Sequence, residues 1–300
     1  MSKQQRDAID AALRAEPFGL NQSTDGHRKT FDAFAIRPYP ADVAAAEVTL
    51  GGVPAIELTV TGRPADPTVL YFHGGGYVAG SARTGTHLAA ELARRTGGRA
   101  LSVDYRLAPE HPFPAALEDG VAAYRALLDG GLAPARVAIA GESAGAGLAA
   151  ATLAALKSQG LAQPAAAVLM SPWADLTLTG ASVTGKAAAD PALTGAGLAR
   201  RARDYAGGHD LADARISPVF GDLAGLPPLL IQAGSHEILL DDAVRLAARA
   251  AAADVPVTLE VTAGAPHVFQ GFAAILPEGD AALARAGAFL RSQLRATALL

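Results

Sequence analysis

The chain contains no cysteine. Disulfides, a thiolate nucleophile and cysteine-ligated zinc are therefore excluded. It also lacks a basic excess: 25 Lys and Arg stand against 29 Asp and Glu, and the basic residues form no runs. Nothing in that balance attracts a phosphate backbone or an anionic membrane surface, so nucleic acid is not an expected partner. Long apolar runs are missing too. No segment reaches the ~20 uncharged apolar residues of a membrane span. The N-terminal MSKQQRDAIDAALRAE has no apolar stretch of signal-peptide length, which makes the cytoplasm the expected location. Internal repeats and low-complexity linkers are also absent. Charged residues make up only 18% of the 300, and half are hydrophobic. A chain of that composition can bury a large core in a single α/β domain, taken here as residues 1–300. Enrichment in Ala, and in Arg over Lys, suggests a high-GC bacterial source.

What is present is alternation. EVTL (47–50) and AIELTV (55–60) read as paired strands. TVLYF (68–72), RALSVDY (99–105), RVAIAG (136–141), AAVLMS (166–171), PLLIQAG (228–234) and VTLEVTAG (257–264) are further strands. Between them, residues 86–97, 115–129, 145–158, 241–253 and 279–297 carry helical spacing. Such alternation predicts a mostly parallel central sheet with helices on both faces, and all-apolar runs such as VAIA suit strands buried on both sides. Two segments depart from it. Residues 1–45 combine helical patterns with Pro17, Pro38 and Pro40 and with Phe18, Phe31, Phe34 and Tyr39. Residues 173–226 hold polar loops and a helix near 195–205. Both are expected to form a helical cap over the site.

Three motifs carry chemistry. Gly141-Glu142-Ser143-Ala144-Gly145 fits G-x-S-x-G between a strand and a helix, the setting in which a serine sits exposed on a sharp turn as a nucleophile. His73-Gly74-Gly75-Gly76 follows a strand, and bare glycine backbone there can offer N–H donors to an oxyanion. Gly74, Gly76 and Ala79, and likewise Gly145, Gly147 and Ala150, also match G-x-G-x-x-A. Neither set has the helix onset and ribose-binding acid of a dinucleotide site. In this type of fold the triad runs Ser, acid, His. Of the seven histidines, His267 alone lies just beyond the last strand, in AGAPHVFQGF. His236-Glu237 is not a zinc motif, since position 240 is Leu. The acid belongs to the loop after PLLIQAG, where Glu237, Asp241 and Asp242 compete.

With these residues in place the chain resembles the bacterial hormone-sensitive-lipase-like esterases of the α/β-hydrolase fold. The resemblance rests on His73-Gly74-Gly75-Gly76-Tyr77, Asp104-Tyr105-Arg106-Leu107-Ala108-Pro109-Glu110, Gly141-Glu142-Ser143-Ala144-Gly145, Ser171-Pro172-Trp173 and His267-Val268-Phe269. It covers roughly residues 45–275. It implies oxyanion donors at Gly75, Gly76 and Ala144, a structural role for Asp-Tyr-Arg, short- to medium-chain acyl esters as substrates, and a homodimer. It implies no cofactor and no metal. It also places the acid four residues before a second acidic residue, the relation of Glu237 to Asp241. Asp241 and Asp242 stand at the start of a helical pattern and are expected to cap it. The catalytic set is thus read as Ser143, Glu237 and His267. Glu142 and Glu237 stand where the family often has Asp, and either acid serves a triad. SPWADLTLTGAS (171–182) also resembles monoterpene ε-lactone hydrolases, which makes a lactone an alternative substrate. Some relatives are receptors that have lost the triad histidine, so a binding protein on a disabled scaffold is a further alternative, and the presence of His267 argues against it.

Overall fold

The computed structural model describes residues 3–15, 18–37 and 39–296. Pro17, Pro38 and the last residue of the helix expected at 279–297 lie outside them. The N-terminal segment folds as α1 (Lys3–Ala15) and α2 (Thr24–Ala35). The alternating part follows as β1 (Val43–Leu50), β2 (Val53–Val60), β3 (Thr68–Phe72), α3 (Ala82–Thr96), β4 (Arg99–Val103), α4 (Ala115–Asp129), β5 (Val137–Glu142), α5 (Ala144–Ser158) and β6 (Ala166–Met170). The second departing segment contains α6 (Ser182–Gly185) and α7 (Gly195–Ala206). β7 (Leu229–His236), α8 (Leu240–Ala252), β8 (Val257–Pro266) and α9 (Pro277–Ala296) complete the order.

Among the described residues the strands make one eight-stranded sheet, ordered β1-β2-β4-β3-β5-β6-β7-β8. β2 pairs antiparallel with β1 and β4, and every other pairing is parallel. The period of two in a strand sorts the core into two layers. Val69 and Tyr71 of β3, Ala138 and Ala140 of β5, and Val168 and Met170 of β6 pack with Leu88 and Leu92 of α3 and Leu290 of α9. Their alternates Leu70, Phe72, Ile139 and Leu169 pack on the other face with α4, α5 and α8. Both faces are covered, which is why the inner strands contain almost no polar residue.

Two boundaries differ most from the sequence reading, each by four residues. β1 begins at Val43, so residues 43–45 belong to the sheet and not to the cap segment. Poor strand formers (Ala44, Ala45, Ala46) are held there by pairing with Thr59, Leu58 and Glu57. α3 begins at Ala82, a turn earlier than its apolar spacing showed. Ser81 and Thr84 form a reciprocal capping box that compensates for the weak ARTG start, and Gly97 closes the helix in the left-handed conformation at φ 81°. No described helix is long and apolar enough to cross a membrane.

Candidate active site

The parallel strands β3, β5, β6, β7 and β8 all end on one edge of the sheet, and the motif residues lie in the loops that follow. Ser143 joins β5 to α5 at φ 55°, ψ −122°. That conformation is unfavourable for a side chain bearing Cβ, by about 1–3 kcal/mol. Its backbone is held at both ends. The N–H donates to Met170 O (2.9 Å), and the carbonyl accepts from Ala146 N, Gly147 N and Trp173 N at 3.0–3.1 Å. The flanking glycines are required by contact. A Cβ on Gly145 would lie 2.1 Å from Phe72 O, and one on Gly147 would lie 2.1 Å from Trp173 O. The elbow therefore presses its backbone directly on β3 and on the strand-end loop after β6.

His267 follows β8 and is buried, as is Glu237 beyond β7. Its Nδ1 is 2.5 Å from Glu237 Oε2. A carboxylate at that distance accepts, so Nδ1 carries the hydrogen, and in the neutral ring Nε2 is the nitrogen with the lone pair. Glu237 is fixed in turn: Oε1 accepts from Gly234 N (2.6 Å) and from Ser171 Oγ (3.0 Å). Ser171 Oγ also accepts from Val268 N (3.0 Å), which ties the acid and the histidine loop together. Sequence reasoning quoted Ser171 only as part of a family motif. Its one signal in sequence is its place at the end of a strand, which the sheet sets beside β5.

Asp241 and Asp242 do not cap the helix as expected. α8 begins at Leu240, Leu239 before it offers no side-chain bond, and the first-turn amide of Asp241 donates instead to Ser182 Oγ (3.0 Å). Asp242 Oδ2 accepts from Ala174 N and Asp175 N at 2.8 Å, and Asp241 Oδ2 accepts from Ser182 N at 2.9 Å. Both carboxylates fasten residues 174–182 to α8. Those backbone donors are more than fifty residues upstream of the helix, which is why local sequence pointed elsewhere. Burial pushes the Asp242 carboxyl up to about 8.

The glycine loop after β3 adopts φ 110° at Gly75 and 62° at Gly76, values open to glycine. A network behind the loop shapes it. Gly74 N donates to Glu142 Oε1 (2.8 Å), and the Tyr71 hydroxyl donates to Glu142 Oε2. Burial raises the Glu142 carboxyl to about 8. His73 stacks on Tyr105 with ring centroids 4.2 Å apart, and its Nδ1 donates to Gly74 O at 2.7 Å. Tyr105 Oη donates to His73 O at 2.7 Å, and Arg106 pairs with Asp119. The Asp-Tyr-Arg segment thus touches structure and not the cleft.

Gly75, Gly76, Ser143 and His267 line one cleft. Ala144 is the first residue of α5 beside Ser143, where an amide has no acceptor within the helix. All six residues singled out for chemistry are brought to this edge. Both cap segments reach it as well. Phe18, Phe31 and Phe34 come from the first, Leu193 and Leu198 from the second, and Phe272 faces them from the loop after β8. Phe18, Phe31 and Phe34 are among the aromatic residues that set the first segment apart in sequence, whereas Tyr39 is exposed and does not line the cleft, and Leu193, Leu198 and Phe272 carry no sequence signal. Among the described residues no group of His, Asp and Glu is arranged to hold a metal ion.

Comparison with known proteins adds a second line of observation. Residues 69–271 match the family described by the α/β-hydrolase fold. An acetyl-hydrolase of Streptomyces hygroscopicus is 49% identical over 253 residues, 84% of this chain and 83% of that protein. An esterase of Acinetobacter venetianus is 38% identical over 287 residues, 95% of this chain and 94% of that one. A crystal structure of an esterase from the bacterial hormone-sensitive lipase family superposes with a TM-score of 0.94 at 44% identity, covering 98% of this chain and 99% of the other.

Proposed function

We propose, from the premise that this chain belongs to the α/β-hydrolase family of bacterial hormone-sensitive-lipase-like esterases and is itself an ester hydrolase, that it cleaves short- to medium-chain acyl esters through an acyl-enzyme on Ser143. The observation that carries this reading is the Glu237–His267 hydrogen bond at 2.5 Å, which leaves Nε2 as a base in the cleft that Ser143 also lines.

In the first half-reaction Ser143 Oγ attacks the ester carbonyl while His267 Nε2 takes its proton. Negative charge moves to the carbonyl oxygen, and the N–H groups of Gly75, Gly76 and Ala144 receive it. One such donor is typically worth about 10²–10³ in rate. The intermediate collapses, the alcohol leaves with the proton from Nε2, and the acyl group remains on Oγ. Water then attacks, deprotonated by the same nitrogen, and Ser143 is regenerated. Glu237 holds the imidazole in the required tautomer and stabilises its cation. An acetyl-hydrolase among the relatives supports short acyl groups, and the aromatic wall contributed by residues 18–34 supports a cap that limits chain length. Relatives named for esters lend the lactone alternative no support.

Replacing Ser143 with Ala tests the reading. Hydrolysis of p-nitrophenyl acetate should fall by ~10⁴-fold or more with the fold intact by circular dichroism. Near wild-type turnover, or organophosphate labelling at another residue, would overturn it.

A further inference from the structure

The cleft wall contributed by the cap is mainly hydrocarbon, and His27 interrupts it. His27 lies in the first turn of α2, is 0% exposed, and lines the same cleft as Ser143 and His267. Its ring meets Phe31 edge-on, with centroids 6.1 Å apart. Among the described residues neither Nδ1 nor Nε2 has a hydrogen-bond partner. Buried polar atoms in folded proteins are rarely left unmatched, because the loss of their water is not recovered. A side chain kept only to fill this place would be apolar like Phe31. His27 lines the cleft, so an atom that enters there and displaces the ring's neighbours can match it.

The position of His27 is tied to the reaction centre. Arg201 of α7 is fully buried and donates from Nε to Leu20 O (3.1 Å) and from Nη2 to Gln22 O (2.7 Å). A Cβ on Gly76 would lie 3.3 Å from the stem of Arg201 and 3.6 Å from Leu20. The glycine loop, Arg201 and the turn leading into α2 are therefore one packed unit. Burial, with the nearby Arg201 and Arg28 charges, holds His27 down to about 4, so the ring is neutral and offers one donor and one acceptor.

We propose that His27 is a specificity residue that hydrogen-bonds a hydroxyl group carried on the substrate, making hydroxylated esters favoured over their plain counterparts. A hydroxyl both donates and accepts, so it suits either tautomer of a neutral imidazole. An anionic group fits poorly, since the adjacent Arg201 is already engaged by two carbonyls and by the Asp204 carboxylate (2.9 Å). The inference rests on the assignment of the cleft to acyl transfer at Ser143.

The test measures kcat/KM for matched pairs. p-Nitrophenyl hexanoate is compared with its 3-hydroxy and 6-hydroxy derivatives for a hydroxyl on the acyl side. Ethyl butyrate is compared with 2-hydroxyethyl butyrate for one on the alcohol side. The wild type should favour at least one hydroxylated member. His27→Phe should lower that preference about tenfold, mainly through KM, because the lost contact is made to bound substrate. His27→Gln should restore part of it, and it serves as the reading if the Phe variant does not fold. Unchanged ratios for every pair, or parallel losses on both members with a lowered melting temperature, would overturn the proposal. Activity surviving in Ser143→Ala would instead refute the nucleophile assignment, so the two failures are distinguishable.

Discussion

The floor of the cleft and the N-terminal segment of its roof are held by opposite chemistry. At the floor, buried carboxylates accept from backbone N–H groups. Glu237 binds Gly234 and Glu142 binds Gly74, and the second roof segment is held in the same way, Asp242 binding Ala174 and Asp175 and Asp190 binding Ala192, Leu193 and Ile238. At the roof, arginines donate to backbone carbonyls. Arg14 reaches Ala188 and Ala189, Arg28 reaches Val78 and Ala108, Arg37 reaches Gly271, and Arg201 reaches Leu20 and Gln22. Arg37 also lies 5.0 Å above the ring of Phe34 and 5.2 Å above that of Phe272. Arginine stays charged at any working pH, whereas a buried carboxyl can change state. The N-terminal segment of the roof is therefore held mainly by groups that stay charged, whereas the second segment, held by Asp190, Asp241 and Asp242, shares the carboxylate chemistry of the floor and its pH sensitivity.

The largest expected effect lies at the floor. In Glu237→Gln the amide oxygen can keep the Ser171 and Gly234 bonds while the amide nitrogen faces His267 Nδ1. The imidazole hydrogen is then moved to Nε2, the atom that should accept the Ser143 proton. Turnover should drop on the order of 10³- to 10⁴-fold with little change in KM. Asp241→Asn should keep most activity, since its carboxylate only holds Ser182 N. Steady-state rates for the pair decide this, and an inactive Asp241→Asn beside an active Glu237→Gln would reverse the assignment. A roof change should act on selectivity. Phe31→Ala should shift preference toward longer acyl chains by about tenfold, as judged from kcat/KM across acetate to octanoate. An unaltered profile would mean that α2 does not bound the acyl site.

The smallest effect concerns pH. In the folded protein the Asp242 carboxyl holds its proton up to about 8, while in the unfolded chain it ionises near 3.8. Between those values the native state binds the extra proton, so raising pH removes stability, and the loss is complete above about pH 8. Asp242→Asn keeps an acceptor for Ala174 and Asp175 but abolishes this titration. Its melting temperature should fall less than the wild type's between pH 5 and pH 9. Part of the slope should remain, since Glu142 is shifted in the same direction. Equal slopes in both proteins would show that Asp242 is ionised in the native state.

The same division explains what sequence could reveal. β3 and α4 match their expected residues because a strand buried on both faces and a helix closed by Gly130 and Gly131 are local patterns. Ser143 and His267 were legible because a strand-turn-helix and a last-strand loop are also local. The cap helices were visible as periodicity, but their side of attachment depends on arginines whose acceptor carbonyls carry no sequence signature. Asp242 looked like a cap for the same reason. Sequence shows a carboxylate at a helix start, and only the packed chain shows the distant amides that claim it.

The hydroxyl of Ser171 has a consequence for how the enzyme comes into being. It joins Glu237 across 66 residues of chain and Val268 across 97. Contacts of such sequence separation close late, because each must overcome the entropy of a long loop. Helices and the earlier strand pairings can form while Ser143, Glu237 and His267 are still apart. A nascent or refolding chain thus cannot bring His267 to Glu237 until the segment after β8 has docked. Ester hydrolysis is a report that the C-terminal strands have docked.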